Sequence, residues 1–128
     1  MKIEHIAIWV SDLEKVKAFY TKYFQMSCND MYVNEKKQFS SYFLSFEGGA
    51  RIEIMHRHDI GERRDDRGST IGITHFAISV GSKELVDELT EKIRSGGFKI
   101  AGEPRTTGDG YYESVVADPE GNLVEITD

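Results

Sequence analysis

Residues 3–10 alternate between the two sides of an extended chain. Ile6, Ile8 and Val10 point one way, and Ile3, His5, Ala7 and Trp9 the other. The period then changes. Ser11-Asp12 offers an N-cap, Glu14 sits in the first turn, and Leu13, Val16, Phe19, Tyr20 and Phe24 recur at helical spacing, which predicts an amphipathic helix of about three turns. Strand-like runs follow at roughly 26–34, 39–47 and 50–56, the last two joined by a Gly48-Gly49 turn. The plan then restarts. Phe76, Ile78 and Val80 share one side, and Ile73, His75, Ala77 and Ser79 the other; Ser82 caps a helix carrying Leu85, Val86, Leu89 and Ile93 that stops at Ser95-Gly96-Gly97. Runs at roughly 98–103, 111–117 and 122–127 complete the second copy, with Asp118-Pro119-Glu120-Gly121-Asn122 turning the final hairpin.

This pattern predicts an α+β chain in which a βαβββ module is used twice, with a period near seventy residues. We expect one domain over 1–128: module 1 at about 1–56, a charged linker at about 57–71, and module 2 at about 72–128.

The repeat reaches beyond hydrophobic positions. His5-Ile6-Ala7-Ile8-Trp9-Val10 returns as His75-Phe76-Ala77-Ile78-Ser79-Val80, and Ile52-Glu53-Ile54 returns as Val124-Glu125-Ile126. A copied fold accounts for repeated aliphatic residues, but it does not oblige both copies to keep the His and the Glu. Parity places the four together. If Ile52, Ile54, Val124 and Ile126 pack under the helices, then His5, Glu53, His75 and Glu125 all face away from them. Two imidazoles and two carboxylates without a thiolate suit a divalent Zn, Ni, Co, Mn or Fe ion with positions left open for substrate oxygens.

Composition narrows the setting. The length of 128 residues suffices for a core without staples, and the single Cys28 excludes an internal disulfide and any cysteine-rich zinc cluster. The formal net charge of −6 argues against a nucleic-acid or anionic-membrane surface, which needs a concentrated basic face. Neither a signal-peptide core nor a bilayer-length apolar run is found, so a cytoplasmic location is expected.

With these residues in view, the chain resembles the vicinal oxygen chelate superfamily, which includes glyoxalase I, methylmalonyl-CoA epimerase, extradiol dioxygenases and the fosfomycin- and bleomycin-resistance proteins. The resemblance spans essentially the whole chain, and Ala18-Phe19-Tyr20 and the Asp118–Asn122 turn also look like family landmarks. It implies an eight-stranded half-open barrel with flanking helices, built around one divalent metal, and a homodimer. Its glyoxalase branch implies a His, Glu, His, Glu ligand order on His5, Glu53, His75 and Glu125. A metal gripping two adjacent substrate oxygens acidifies the C–H between them, and a carboxylate moves the proton to the neighbouring carbon. The resemblance assigns that role to Glu125, with Glu53 as ligand and second base, on a substrate such as a methylglyoxal–thiol hemithioacetal. An epimerase acting alpha to a thioester, or a small-molecule-binding resistance protein without turnover, is the alternative.

The chain departs from the glutathione-dependent pattern at three places. Trp9 stands where a basic residue is usual, four positions after the first ligand His; Arg57 stands near a usual Asn; and Gln25 replaces a glycine between helix and strand. These departures leave the thiol open. Trp9, Arg51 and Tyr111 are the candidate substrate contacts. The segment 56–67, with two further histidines and alternating charges, reads as a solvated, self-neutralising loop, with an accessory metal site or an anion-recruiting patch as the other readings.

Overall fold

A computed structural model of the protein describes residues 1–61 and 68–128. The chain divides into two compact units, Met1–Arg63 and Arg64–Asp128. Each is a βαβββ module, so the α+β fold with an internal duplication is as expected.

In the first unit, β1 (His5–Trp9) leads into α1 (Leu13–Tyr23), then β2 (Ser27–Cys28), β3 (Tyr32–Asn34), a short 3-10 turn, β4 (Phe39–Ser45) and β5 (Arg51–Arg57). The sheet order is β1-β5-β4-β2, with β3 also on β4; β1 runs parallel to β5, and β5 antiparallel to β4. Asp12 caps α1 by accepting from the Lys15 amide at 2.9 Å. The helix buries Leu13, Val16, Phe19, Tyr20 and Tyr23 over Leu44, Ile52 and Ile54. Phe19 meets Tyr20 edge-on with ring centres 5.1 Å apart, the geometry that aromatic quadrupoles favour.

The expected strand at 26–34 is split into β2 and β3. Asn29 is the cause. Its side-chain oxygen accepts from the Phe43 amide at 2.7 Å, and its own amide donates to the Phe43 carbonyl at 3.3 Å, so a side chain replaces one rung of the ladder.

In the second unit, β6 (His75–Ser79) leads into α2 (Lys83–Ser95), then β7 (Ile100–Thr106), β8 (Tyr112–Ala117) and β9 (Leu123–Thr127), in the order β6-β9-β8-β7. Ser82 caps α2 through the Leu85 amide. The buried face of α2 is Val86, Thr90 and Ile93, whereas Leu85, expected in the core, is exposed. A hydroxyl is tolerated there because it is satisfied: Thr90 Oγ1 donates to the Val86 carbonyl, and it pairs with Ser114 Oγ, each at 2.6 Å. The β7–β8 ladder shifts register twice between Ile100 and Arg105, and Pro104 lies within the irregular stretch, where a missing amide costs least.

The two helices end alike. Gly97 lies at φ 84° after α2, and the Phe98 amide returns to the Ile93 carbonyl. After α1 the same left-handed position is taken by Gln25 at φ 55°, and the Met26 amide returns to the Tyr20 carbonyl. A side chain in this region costs on the order of 1 kcal/mol relative to glycine. Gln25→Gly is therefore expected to raise the unfolding free energy by about 1 kcal/mol, read as a higher urea midpoint at unchanged slope. Among the described residues, no helix is long and apolar enough to cross a membrane.

Candidate metal centre

The parity argument holds within each module. Ile52 and Ile54 are buried under α1, and Glu53 between them points to the other side. The register sets Ala7 beside Glu53 and His5 beside Arg51, so His5 and Glu53 are diagonal neighbours on one face. His5 Nε2 lies 3.8 Å from Glu53 Oε2. Val124 and Ile126 are likewise buried, Ala77 pairs with Glu125, and His75 Nε2 lies 3.3 Å from Glu125 Oε2. Both carboxylates are mostly buried, at 15% and 16% side-chain exposure, while the imidazoles are more open at 39% and 38%.

The two pairs have different surroundings. Glu4 accepts from His5 Nδ1 at 2.5 Å and is itself paired with Arg51; these bonds hold its carboxyl below the ordinary range. Glu4 thus fixes the ring so that Nε2 is the nitrogen turned toward Glu53, the carboxylate brace usual behind a metal-bound imidazole. Phe43 packs edge-on against the same ring at 5.5 Å, with the Arg51 guanidinium over its face at 4.1 Å. In the second module Thr74 occupies the position of Glu4. There the added group is Glu113 of β8, a buried carboxylate that hydrogen-bonds Glu125 and accepts from Arg105 at 3.0 Å. Burial, and next the Glu113 charge, push the Glu125 carboxyl above its ordinary value.

Glu4, Phe43, Arg105 and Glu113 were missed by the sequence reading. Glu113 left a readable signal: it alternates with Ser114 and Val116, whose burial under α2 puts Glu113 on the Glu125 side. Arg105 left none, because the bulge in β7 rephases the strand before that residue. Gly102 belongs to the same adjustment, since a Cβ there would meet the Arg105 guanidinium at 3.2 Å.

Of the candidate substrate contacts, Trp9 lies on the face of His5 and Glu53, with the Arg57 guanidinium 5.4 Å from its ring centre. Arg51 shares that face and is held by Glu4. Tyr111 precedes β8 with its ring exposed, and its carbonyl accepts from the Thr107 amide. In the charged segment, His56 is tied to the Val10 carbonyl at 3.0 Å and Arg57 pairs with Asp59. The expectations for 62–67 lie outside the described residues.

The donors fit a borderline divalent ion. Each pair offers one imidazole nitrogen and one carboxylate oxygen, and no thiolate competes. Among the described residues no three His, Cys, Asp or Glu side chains are so placed that together they could hold a metal ion, so each pair is a two-donor half-site.

Known proteins share the fold of this chain. The chain is 25% identical over 127 residues to the uncharacterized protein YqjT of Bacillus subtilis, covering 97% of this chain and 96% of that one. It is 29% identical over 126 residues to a lactoylglutathione lyase of Arabidopsis thaliana, covering 95% of this chain but 42% of that protein. Glyoxalase I from Zea mays superposes with a TM-score of 0.80 at 27% identity, over 98% of this chain and 44% of that chain. The chain thus spans less than half the length of either plant protein. A family model, Glyoxalase/Bleomycin resistance protein/Dioxygenase superfamily, matches residues 2–126, and the chain belongs to that superfamily.

Proposed function

We propose that the protein is a metal-dependent, glyoxalase I-like lyase that moves a proton between adjacent carbons of a 1,2-dioxygenated substrate such as a methylglyoxal–thiol hemithioacetal. The observation that carries this reading is the twin pairing of His5 with Glu53 and His75 with Glu125 on equivalent faces of the two modules. His5, Glu53, His75 and Glu125 would hold the ion, either within one chain or across a homodimer. Exposed Ile3, Ile71 and Ile73 beside the edge strands β1 and β6 support self-association.

When bound, the metal supplies Lewis-acid polarisation of the two substrate oxygens. Glu125 does the proton work. A carboxylate whose affinity for protons is raised by burial accepts the C–H proton more readily than an exposed one, and it returns it to the next carbon. The hemithioacetal carbon loses its hydrogen, the former ketone carbon gains one, and the product is the 2-hydroxyacyl thioester with no net redox change. Glu113, hydrogen-bonded to Glu125 and anchored by Arg105, positions that carboxylate. Glu4 holds the His5 ring in its ligating orientation. Trp9, Arg51 and Tyr111 are the proposed substrate contacts.

Purified protein loaded in turn with Ni, Co, Zn or Mn is expected to form thioester from methylglyoxal and at least one thiol, followed by absorbance. No thioester with any combination overturns the lyase reading. Metal loading is expected to raise Tm in the wild type and not in His75→Ala. A protein that takes up no stoichiometric metal would instead be a binding member of the superfamily.

A further inference from the structure

On the first module, the face that carries His5 and Glu53 continues past them into an aromatic corner. Trp9 and Phe39 meet edge-to-face with ring centres 6.1 Å apart, and Tyr32 closes on Phe39 at the same distance and 61°. Trp9 and Tyr32 remain 37% and 53% exposed, although large rings on a β-sheet gain from being covered. Between the corner and the half-site the face is lined by Ala7, beside Glu53, and by Met55, beside Trp9. One side chain is small and the other flexible and polarisable, so the strip is passable and apolar. Trp9 is two residues along from the position facing Glu53, which sets the corner about 7 Å from the carboxylate-bearing position.

Charge decides what the corner accepts. Among the described residues, the cation seen on it is Arg57, which lies over the Trp9 ring and is already paired with Asp59. Such an arginine stiffens the indole but offers little to a carboxylate on the ligand. The whole chain, at a formal −6, repels anions besides.

We propose that the Trp9–Phe39–Tyr32 corner is a subsite for an uncharged aromatic ring, carried by the substrate about 7 Å from its metal-chelating oxygens. The spacing rests on the proposed function, whereas the ring preference does not. The natural substrate is then an aryl-bearing 1,2-dioxygenated compound, in which the ring supplies the binding energy that a charged peptide tail supplies elsewhere.

The test separates the two readings. Trp9 is the single tryptophan of the chain, so its fluorescence reports occupancy directly. In the metal-loaded protein, 3-phenylpropionohydroxamate is expected to bind about ten-fold tighter than acetohydroxamate and to quench Trp9. Benzohydroxamate, whose ring sits too close to the chelating oxygens, should fall between them. By calorimetry, Trp9→Leu and Phe39→Leu should bring the aryl-to-methyl ratio close to one, with far-ultraviolet circular dichroism confirming the fold. Equal affinities in the wild type, or a ratio retained in both variants, overturn the subsite. If neither hydroxamate binds, the metal reading fails, and the metal-free arm decides. There 3-phenylpropionamide must quench Trp9 at concentrations where propionamide does not; no difference overturns the subsite too.

Discussion

Replacing Glu125 by Gln is expected to lower kcat about a thousandfold or more, with metal content and far-ultraviolet circular dichroism close to wild type. Glutamine keeps the size of the side chain and an oxygen that can face an ion, but it cannot accept the substrate proton. General-base contributions of this kind span about 10²–10⁴. The same change at Glu53 separates ligand from base. In the first module Ser41 takes the register position that Glu113 takes in the second, so Glu53→Gln should weaken metal binding first and proton transfer second. Paired kcat and metal titrations of the two variants check this. If Glu125→Gln retains turnover within ten-fold, the base is elsewhere.

The second large effect is on stability. Asp118, 4% exposed, accepts from the amides of Glu120 and Asn122 at 2.9 and 2.8 Å, and from Asn122 Nδ2 at 2.7 Å. Asp118→Ala strands these donors in the turn that feeds β9. Losing a charged acceptor shared by three donors should cost about 3 kcal/mol and lower Tm by roughly 10 °C. Because the turn fixes where β9 begins, the loss should also relax the aim of Glu125, seen as weaker metal uptake at temperatures where the variant is still folded. A Tm within about 2 °C of wild type would show that backbone bonds alone hold the turn.

Much of this was legible because the strands that carry the four donors are regular. In β1, β5, β6 and β9 the alternation is unbroken, so burial of Ile52, Ile54, Val124 and Ile126 fixed the outlook of Glu53 and Glu125 before any geometry was known. Both helix starts were readable for a similar reason, as Asp12 and Ser82 are the residue types that satisfy free amides.

What escaped lies where regularity stops. Glu4 belongs by parity to the opposite side from His5, but β1 begins only at His5, so Glu4 is free to turn back to the ring. Arg105 follows a bulge that resets the alternation of β7. The split of β2 from β3 needed the Asn29 side chain to stand in for a backbone carbonyl, an event with no periodic signature. Arg57, expected at the mouth of a linker, instead closes β5 and reaches Trp9, because the strand runs one residue further than its hydrophobic pattern.

The two halves are copies in their donors but not in what stands behind them. A centre made from two identical His–Glu pairs with identical surroundings would have a two-fold axis, and it would offer a bound molecule two equivalent orientations. Here one imidazole leans on Glu4, and the other half carries the Glu113–Arg105 buttress. If the two pairs hold one ion as proposed, that difference makes the two orientations unequal. Which end of an unsymmetrical substrate meets Glu125 would then be decided by residues that touch neither ion nor substrate.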